Sequence, residues 1–156
     1  MPRDPHSQSP DDHPPPALIV VVPGLPIGQG RLSSMGPGRM VHSNAKTLLP
    51  WREQIAAHTR WAMNDAGITE PLEGPMALRA TFTMPRPKSA PKSRWAPDRR
   101  PDLSHLLRAL EDATVLAAAV VDDSQYVDEH VTKVYGPLPG VTFTISPAVR
   151  GESVAA

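Results

Sequence analysis

Apolar positions along the chain recur with two different periods. Residues 18–22 form a continuous β-branched run, which predicts a buried strand. From Met76 to Met84 the pattern alternates instead, with Met76, Leu78, Ala80, Phe82 and Met84 on one side, and predicts a half-buried strand. Trp51, Ile55, Thr59 or His58, and Ala62 recur at helical spacing. That helix is expected to start at Thr47 or Leu49, with Pro50 in its first turn, and to end at Gly67. A second helix carries Leu103, Leu106, Leu107 and Leu110 and runs to about Leu116. Residues 127–135 read as a strand offering Val127, Val131 and Tyr135 to one face, followed by a turn and a last strand over 141–146. Between 23 and 44 the chain is rich in glycine, and Gly36-Pro37-Gly38 between Leu32 and Met40-Val41 predicts a hairpin.

The order β, β-hairpin, α, β, α, β, β predicts an α+β fold: a mixed, largely antiparallel sheet with two main helices packed on one face. Residues 1–16 hold six prolines and no large apolar side chain after Met1, and are expected to be a disordered leader. The folded domain is placed at 17–148 and a fraying tail at 149–156. No run approaches the ~20 apolar residues of a membrane span. The polar leader, with Asp4, Asp11 and Asp12, does not resemble a secretory signal, so a soluble intracellular protein is expected. The chain of 156 residues has no cysteine, which excludes disulfides, thiolate zinc sites and thiol nucleophiles.

The formal net charge of zero conceals a segregation. Residues 86–100 carry six bases (Arg86, Lys88, Lys92, Arg94, Arg99, Arg100) against Asp98. Residues 102–129 carry seven acids (Asp102, Glu111, Asp112, Asp122, Asp123, Asp128, Glu129) against Arg108. One surface that attracts phosphate and another that holds a divalent cation would use such blocks. A basic loop beside a solvated acidic helix would use them equally well. The five prolines of 85–101 place the bases on a loop.

Asp102 precedes the second helix as a candidate N-cap, where the helix dipole favours a carboxylate. Ser104, Arg108 and Glu111 or Asp112 fall on its polar side. A short crossover returns the chain so that Asp122-Asp123 can lie beside Asp102. Clustered carboxylates repel unless a cation neutralises them, and oxygen ligands without sulfur point to Mg2+ or Mn2+. Two plainer readings stand beside this one: Asp102 as a cap only, and Asp122-Asp123 as a surface turn. Arg108 and Asp112 also have the spacing of an i,i+4 ion pair.

The segment Arg100-Pro101-Asp102-Leu103-Ser104-His105-Leu106-Leu107-Arg108-Ala109-Leu110-Glu111-Asp112-Ala113, followed by Asp122-Asp123-Ser124-Gln125, resembles the RusA-type Holliday junction endonucleases of phages and prophages. Those carry R-x-D-L-D-N-L-x-K-A-x-x-D-A-L and then D-D-x-Q. Pro23-Gly24-Leu25-Pro26, Gly28-Gln29-Gly30 and Lys46 with Pro50-Trp51-Arg52 resemble their N-terminal half, and the likeness spans roughly 18 to 146.

The resemblance implies a RusA-like fold and a homodimer that resolves four-way and related branched DNA by paired phosphodiester hydrolysis, with Mg2+ as cofactor or Mn2+ in its place. It implies Asp102 and Asp123 as metal ligands, with Asp122 taking over part of a missing carboxylate. Ser104 stands where the family has aspartate, Arg108 where it has a catalytic lysine, and His105 where it has asparagine. Catalysis would rest on Asp102, Asp123, Arg108 and Ser104, and DNA contact on Arg99, Arg100, Lys88, Lys92, Arg94 and Lys133. His105 is either a residue directed at the ligand or a satisfied surface histidine. The loss of a charge at Ser104 leaves a catalytically weakened junction-binding protein as the alternative, and a metal-free structural or adaptor domain as a third.

Trp51 and Trp61, on a helix, read as core residues. Trp95, in the basic loop, is open to either reading, core or base-stacking. His6 and His13 belong to the leader, and the glycines at 24, 28 and 30 lack the following helix of a nucleotide-binding fingerprint.

Overall fold

The computed structural model describes residues 16–151. The leader assigned to residues 1–16 therefore lies outside the described residues except for Pro16, as does the tail beyond residue 151. Strand β1 spans Leu18–Pro23, β2 Leu32–Ser34, β3 Met40–His42, β4 Met76–Met84, β5 Tyr126–Tyr135 and β6 Gly140–Pro147; helix α1 spans Ala45–Asp65 and α2 Leu103–Leu116. The main sheet has the order β1-β6-β4-β5, with β4 and β5 parallel and the other pairs antiparallel. The parallel pair is joined through α2, as a crossover connection requires. The expected mixed, largely antiparallel sheet with two helices is what the chain forms, and β2–β3 make the expected hairpin.

Strand register explains the core. Val20 pairs with Phe143, Phe143 with Ala80 and Ala80 with Val131, so one row crosses the sheet on the helix side. Leu18–Ile145–Leu78–Glu129 forms the next row, and Val22–Val141–Phe82–Lys133 the one beyond. The β1, β6 and β4 members of these rows are buried in one cluster with Trp51 and Ile55 of α1 and Leu106, Leu110 and Ala113 of α2. Where the rows reach β5 the first ends in Val131 and the other two in Glu129 and Lys133. Strand β5 thus brings Glu129 to Glu111 of α2 and Lys133 to the loop ahead of that helix.

Three expectations are corrected here. Residues 18–22 alternate rather than being buried throughout: Ile19 and Val21 are 60% and 64% exposed, because helices cover only one face of an edge strand. Helix α1 starts at Ala45, which puts Pro50 inside it rather than in its first turn, so the Lys46 carbonyl has no N–H partner at i+4. Val127 is the extra residue where the β4–β5 register shifts, since Met76 pairs with Tyr126 and Ala77 with Asp128. Val127 is accordingly exposed, whereas Val131 and Tyr135 pack against the core.

Trp51 is buried as expected, but Trp61 is 65% exposed, its ring tilted against His58 at 4.9 Å. Thr59, not His58, takes the inward position, and its hydroxyl donates to the Ile55 carbonyl at 2.7 Å. Gly67 ends α1 with φ +71°, allowing its N–H to reach Asn64 O while Ile68 N reaches Met63 O at 2.8 Å. Among the described residues no helix is long and apolar enough to cross a membrane.

Candidate active site

The site is organised by α2, whose apolar stripe fixes its rotation against the sheet and leaves Ser104, His105 and Arg108 exposed. At its start Asp102 occupies the N-cap position with extended backbone, yet its side chain makes no capping hydrogen bond. The carboxylate is exposed and uncommitted to the helix.

A loop from the N-terminal half docks beside it. Gln29 N donates to the His105 carbonyl at 3.0 Å. Asn44 fastens that loop from below: its Nδ2 donates to Gly28 O at 2.8 Å and its Oδ1 accepts from Gly30 N at 2.9 Å. A Cβ at Gly28 would come within 3.1 Å of both Pro101 Cβ and His105 Cβ, so the close approach depends on glycine. The resulting open cleft, about 530 Å³, is lined by Asp102 and His105 together with Arg31, Arg100, Ser43, Asn44 and the 28–30 backbone. It sets one acid among cations and backbone amides, at the positive end of a 14-residue helix.

Two turns further along α2 lies the acidic cluster. Arg108 Nη1 donates to Asp123 Oδ2 at 2.7 Å and stands 3.6 Å from Glu111 Oε2, while its Nε is 3.7 Å from Asp112 Oδ1. The expected i,i+4 pair is therefore present, within a larger network. Its guanidinium pKa is raised, chiefly by the Asp112 charge; burial opposes, and Asp123 and Glu111 add to the rise. Asp123 opens a single 3-10 turn, Asp123–Gln125, after Asp122. Asp122 Oδ1 accepts from Ser124 N, and the Gln125 side chain accepts from the backbone N–H groups of Val121 and Asp122, at 2.8 and 3.2 Å. Gln125 Nε2 also donates to Leu72 O and Gly74 O, tying the turn to the segment that leads into β4. Asp122 is held below the usual carboxylate range, first by a hydrogen bond shared with the Asp123 carboxyl and then by the Ser124 N–H.

The structure thus brings Asp122, Asp123 and Arg108 together, and separately Asp102, Arg100 and His105. No hydrogen bond or ion pair among the described residues joins Asp102 to Asp123; a step of six residues leads from Asp102 to Arg108, about 9 Å along the helix axis. Ser104 is exposed between them, one turn before Arg108. Among the described residues no group of three or more His, Asp or Glu side chains is arranged to hold a metal ion.

The basic loop is anchored rather than loose. Lys133 Nζ donates to Arg99 O and Pro101 O, both at 2.8 Å, so the side chain assigned to DNA is also the strut that ties the loop to β5. Lys88, Lys92, Arg99 and Arg100 are exposed; Arg94 is half-buried and pairs with Asp98 at 3.3 Å.

Two features were invisible to spacing. Arg52 of α1 bonds Asp112, joining the helices through a charge pair. Glu111 shares a hydrogen bond with Glu129, and burial, followed by that neighbour, pushes its carboxyl up to about 8. Glu129 faces α2 because it shares a row with Leu78, which requires the bulge at Val127 to be known.

A family model described as Endodeoxyribonuclease RusA matches residues 23–146. No curated protein matches the chain.

Proposed function

The chain belongs to the RusA endodeoxyribonuclease family, and from that premise we propose that it nicks four-way DNA junctions at paired positions in a Mg2+-dependent reaction. The family is one of Holliday junction resolvases, and this chain is an endodeoxyribonuclease of that kind. The observation that carries the finer reading is the contact of Arg108 with Asp123, which brings the helical and the crossover halves of the family motif into one cluster.

The donor set fits a hard divalent cation. Asp123, Asp122 and Asp102 offer carboxylate oxygens with no sulfur, and Asp102 is not used as a helix cap. In this reading Asp122 and Asp123 would hold the ion with Asp102 drawn in from the neighbouring group, since among the described residues the three do not stand together, and Mn2+ would be able to replace Mg2+; when bound, the ion would supply an acidified water and charge for the leaving oxygen. Ser104 adds an uncharged oxygen on the same helix face as Arg108. Arg108 is too basic to accept a proton, so its part is to present paired N–H donors to phosphate oxygens. Arg99, Arg100, Lys88, Lys92 and Arg94 grip the DNA backbone, fixing register without reading sequence.

A junction has two strands to cut, so a homodimer supplies two sites related by a two-fold axis. The uncovered sheet face, with Ile19 and Val21 exposed, supports this by offering a surface for a second copy. This reading sets the protein to work on DNA within a cell or an infecting phage.

Ser104 favours a second reading, a junction-binding protein with weakened catalysis. Incubating the purified chain with an end-labelled four-way junction separates the two. Symmetric nicks with Mg2+ that vanish with chelator support the enzyme. Salt-sensitive junction binding without nicks supports the weakened form. Equal behaviour towards junction and duplex, with no nicks, rejects both.

A further inference from the structure

Within the basic loop at 85–101 one side chain has no part in the phosphate-gripping role: Trp95, 88% exposed, the most exposed of the large apolar residues described. An indole left in water is unfavourable, since such a side chain buries 150–250 Å² in an ordinary core. A mobile loop would tolerate it at random, but this loop is built to present it. Arg86 Nη1 donates to the carbonyl of Arg94, the residue just before Trp95, at 2.5 Å, and Arg86 Nη2 to Pro91 O at 2.7 Å. The same guanidinium lies 5.2 Å from the centre of the Tyr135 ring at the end of β5. Arg94 N donates to Pro91 O, Arg94 pairs with Asp98, and Lys133 holds the loop's far end through Arg99 O and Pro101 O. Residues on both sides of Trp95 are thereby clamped to the sheet edge while its ring is left outside.

From this geometry we infer that Trp95 stacks on an unpaired or unstacked base at the branch point of the DNA, and so discriminates branched from continuous duplex DNA. This rests on the junction reading and adds the recognition element that phosphate contacts lack. Duplex bases are already stacked on both faces and offer the indole nothing, whereas a base at a strand exchange has a free π-face. The exposed cations of the same loop, Lys92, Arg99 and Arg100, hold the DNA backbone, the arrangement in which a stacking platform contributes without reading sequence.

The test uses the full chain with chelator present, so that nothing is cut. Affinities of wild type, Trp95→Ala and Trp95→Phe are measured for a synthetic four-way junction and for a duplex of the same sequence. A junction carrying 2-aminopurine at the branch point reports stacking by its fluorescence. Trp95→Ala should weaken junction binding between roughly 5- and 150-fold while leaving duplex binding and thermal unfolding unchanged. It should also abolish the quenching of 2-aminopurine seen with wild type, and Trp95→Phe should restore most of both. Unchanged junction affinity in Trp95→Ala overturns the inference, as does an equal loss on junction and duplex. A wild type that does not prefer the junction removes the functional reading itself, before any variant is compared.

Discussion

Arg108 places a guanidinium nitrogen 2.7 Å from the Asp123 carboxylate, and it is the only base in a stretch holding seven acids. It does in this structure part of what a divalent cation would do: it sets one positive charge against Asp123, Asp112 and Glu111. Arginine and cation therefore compete for one acid and co-operate in relieving the repulsion around it.

Removing that arginine should expose the competition. Arg108→Ala is expected to lower stability in chelator by about 1 kcal/mol, since its pairs are half-exposed and individually weak. Added Mg2+ should raise the melting temperature of the variant more than that of wild type. Equal Mg2+ shifts in the two proteins would show that no ion occupies the ground Arg108 now holds.

The Glu111–Glu129 pair predicts a pH dependence. Glu111 holds its proton up to about 8 in the folded chain, chiefly through burial, against the ordinary carboxyl value of 4.5 when unfolded. Its contribution is complete below about pH 4.5 and is lost as pH rises towards 8, because the unfolded chain ionises first. Glu111→Gln should remove this slope, so that the variant's melting temperature gains on wild type steadily from pH 4.5 to 8 in chelator. A difference that stays constant over that range would mean the two carboxyls do not share a proton.

Ser104→Asp restores the carboxylate that the family carries at this position, one turn from Arg108. Junction cleavage by this variant should reach half its maximum at several-fold lower Mg2+ than wild type. An unaltered Mg2+ dependence would place Ser104 away from the ion.

Sequence patterns carried the architecture because each element has one dominant period. The alternation from Met76 to Met84 and the leucines of α2 lead straight to observed elements, and Gly36-Pro37-Gly38 to the hairpin. What escaped was set by partners rather than by local order. Ile19 and Val21 look like core until β1 is known to be an edge with one face uncovered. Trp61 likewise falls just off the stripe that Thr59 and Met63 continue. In the site, the i,i+4 pairing of Arg108 with Asp112 was legible from spacing, whereas the turn at 122–125 brings Asp123 to Arg108, where the sequence led to Asp102. The Arg52–Asp112 pair spans 60 residues of chain, and Glu129 reaches α2 only through a bulge; neither leaves a mark on local sequence. Lys133 reads as a DNA contact from the family resemblance, while its hydrogen bonds to the loop carbonyls emerge only with the tertiary structure.

The measurement that bears most directly on the proposed chemistry compares wild type with Asp123→Asn on one labelled four-way junction, recording nicking and binding in the same samples with Mg2+ and with chelator. The account predicts paired nicks from wild type in Mg2+ alone, and from Asp123→Asn a loss of nicking of at least about 100-fold, the scale of removing one electrostatic stabiliser from an active site, with junction affinity retained. Full nicking by Asp123→Asn, or nicking by wild type undiminished in chelator, would contradict it.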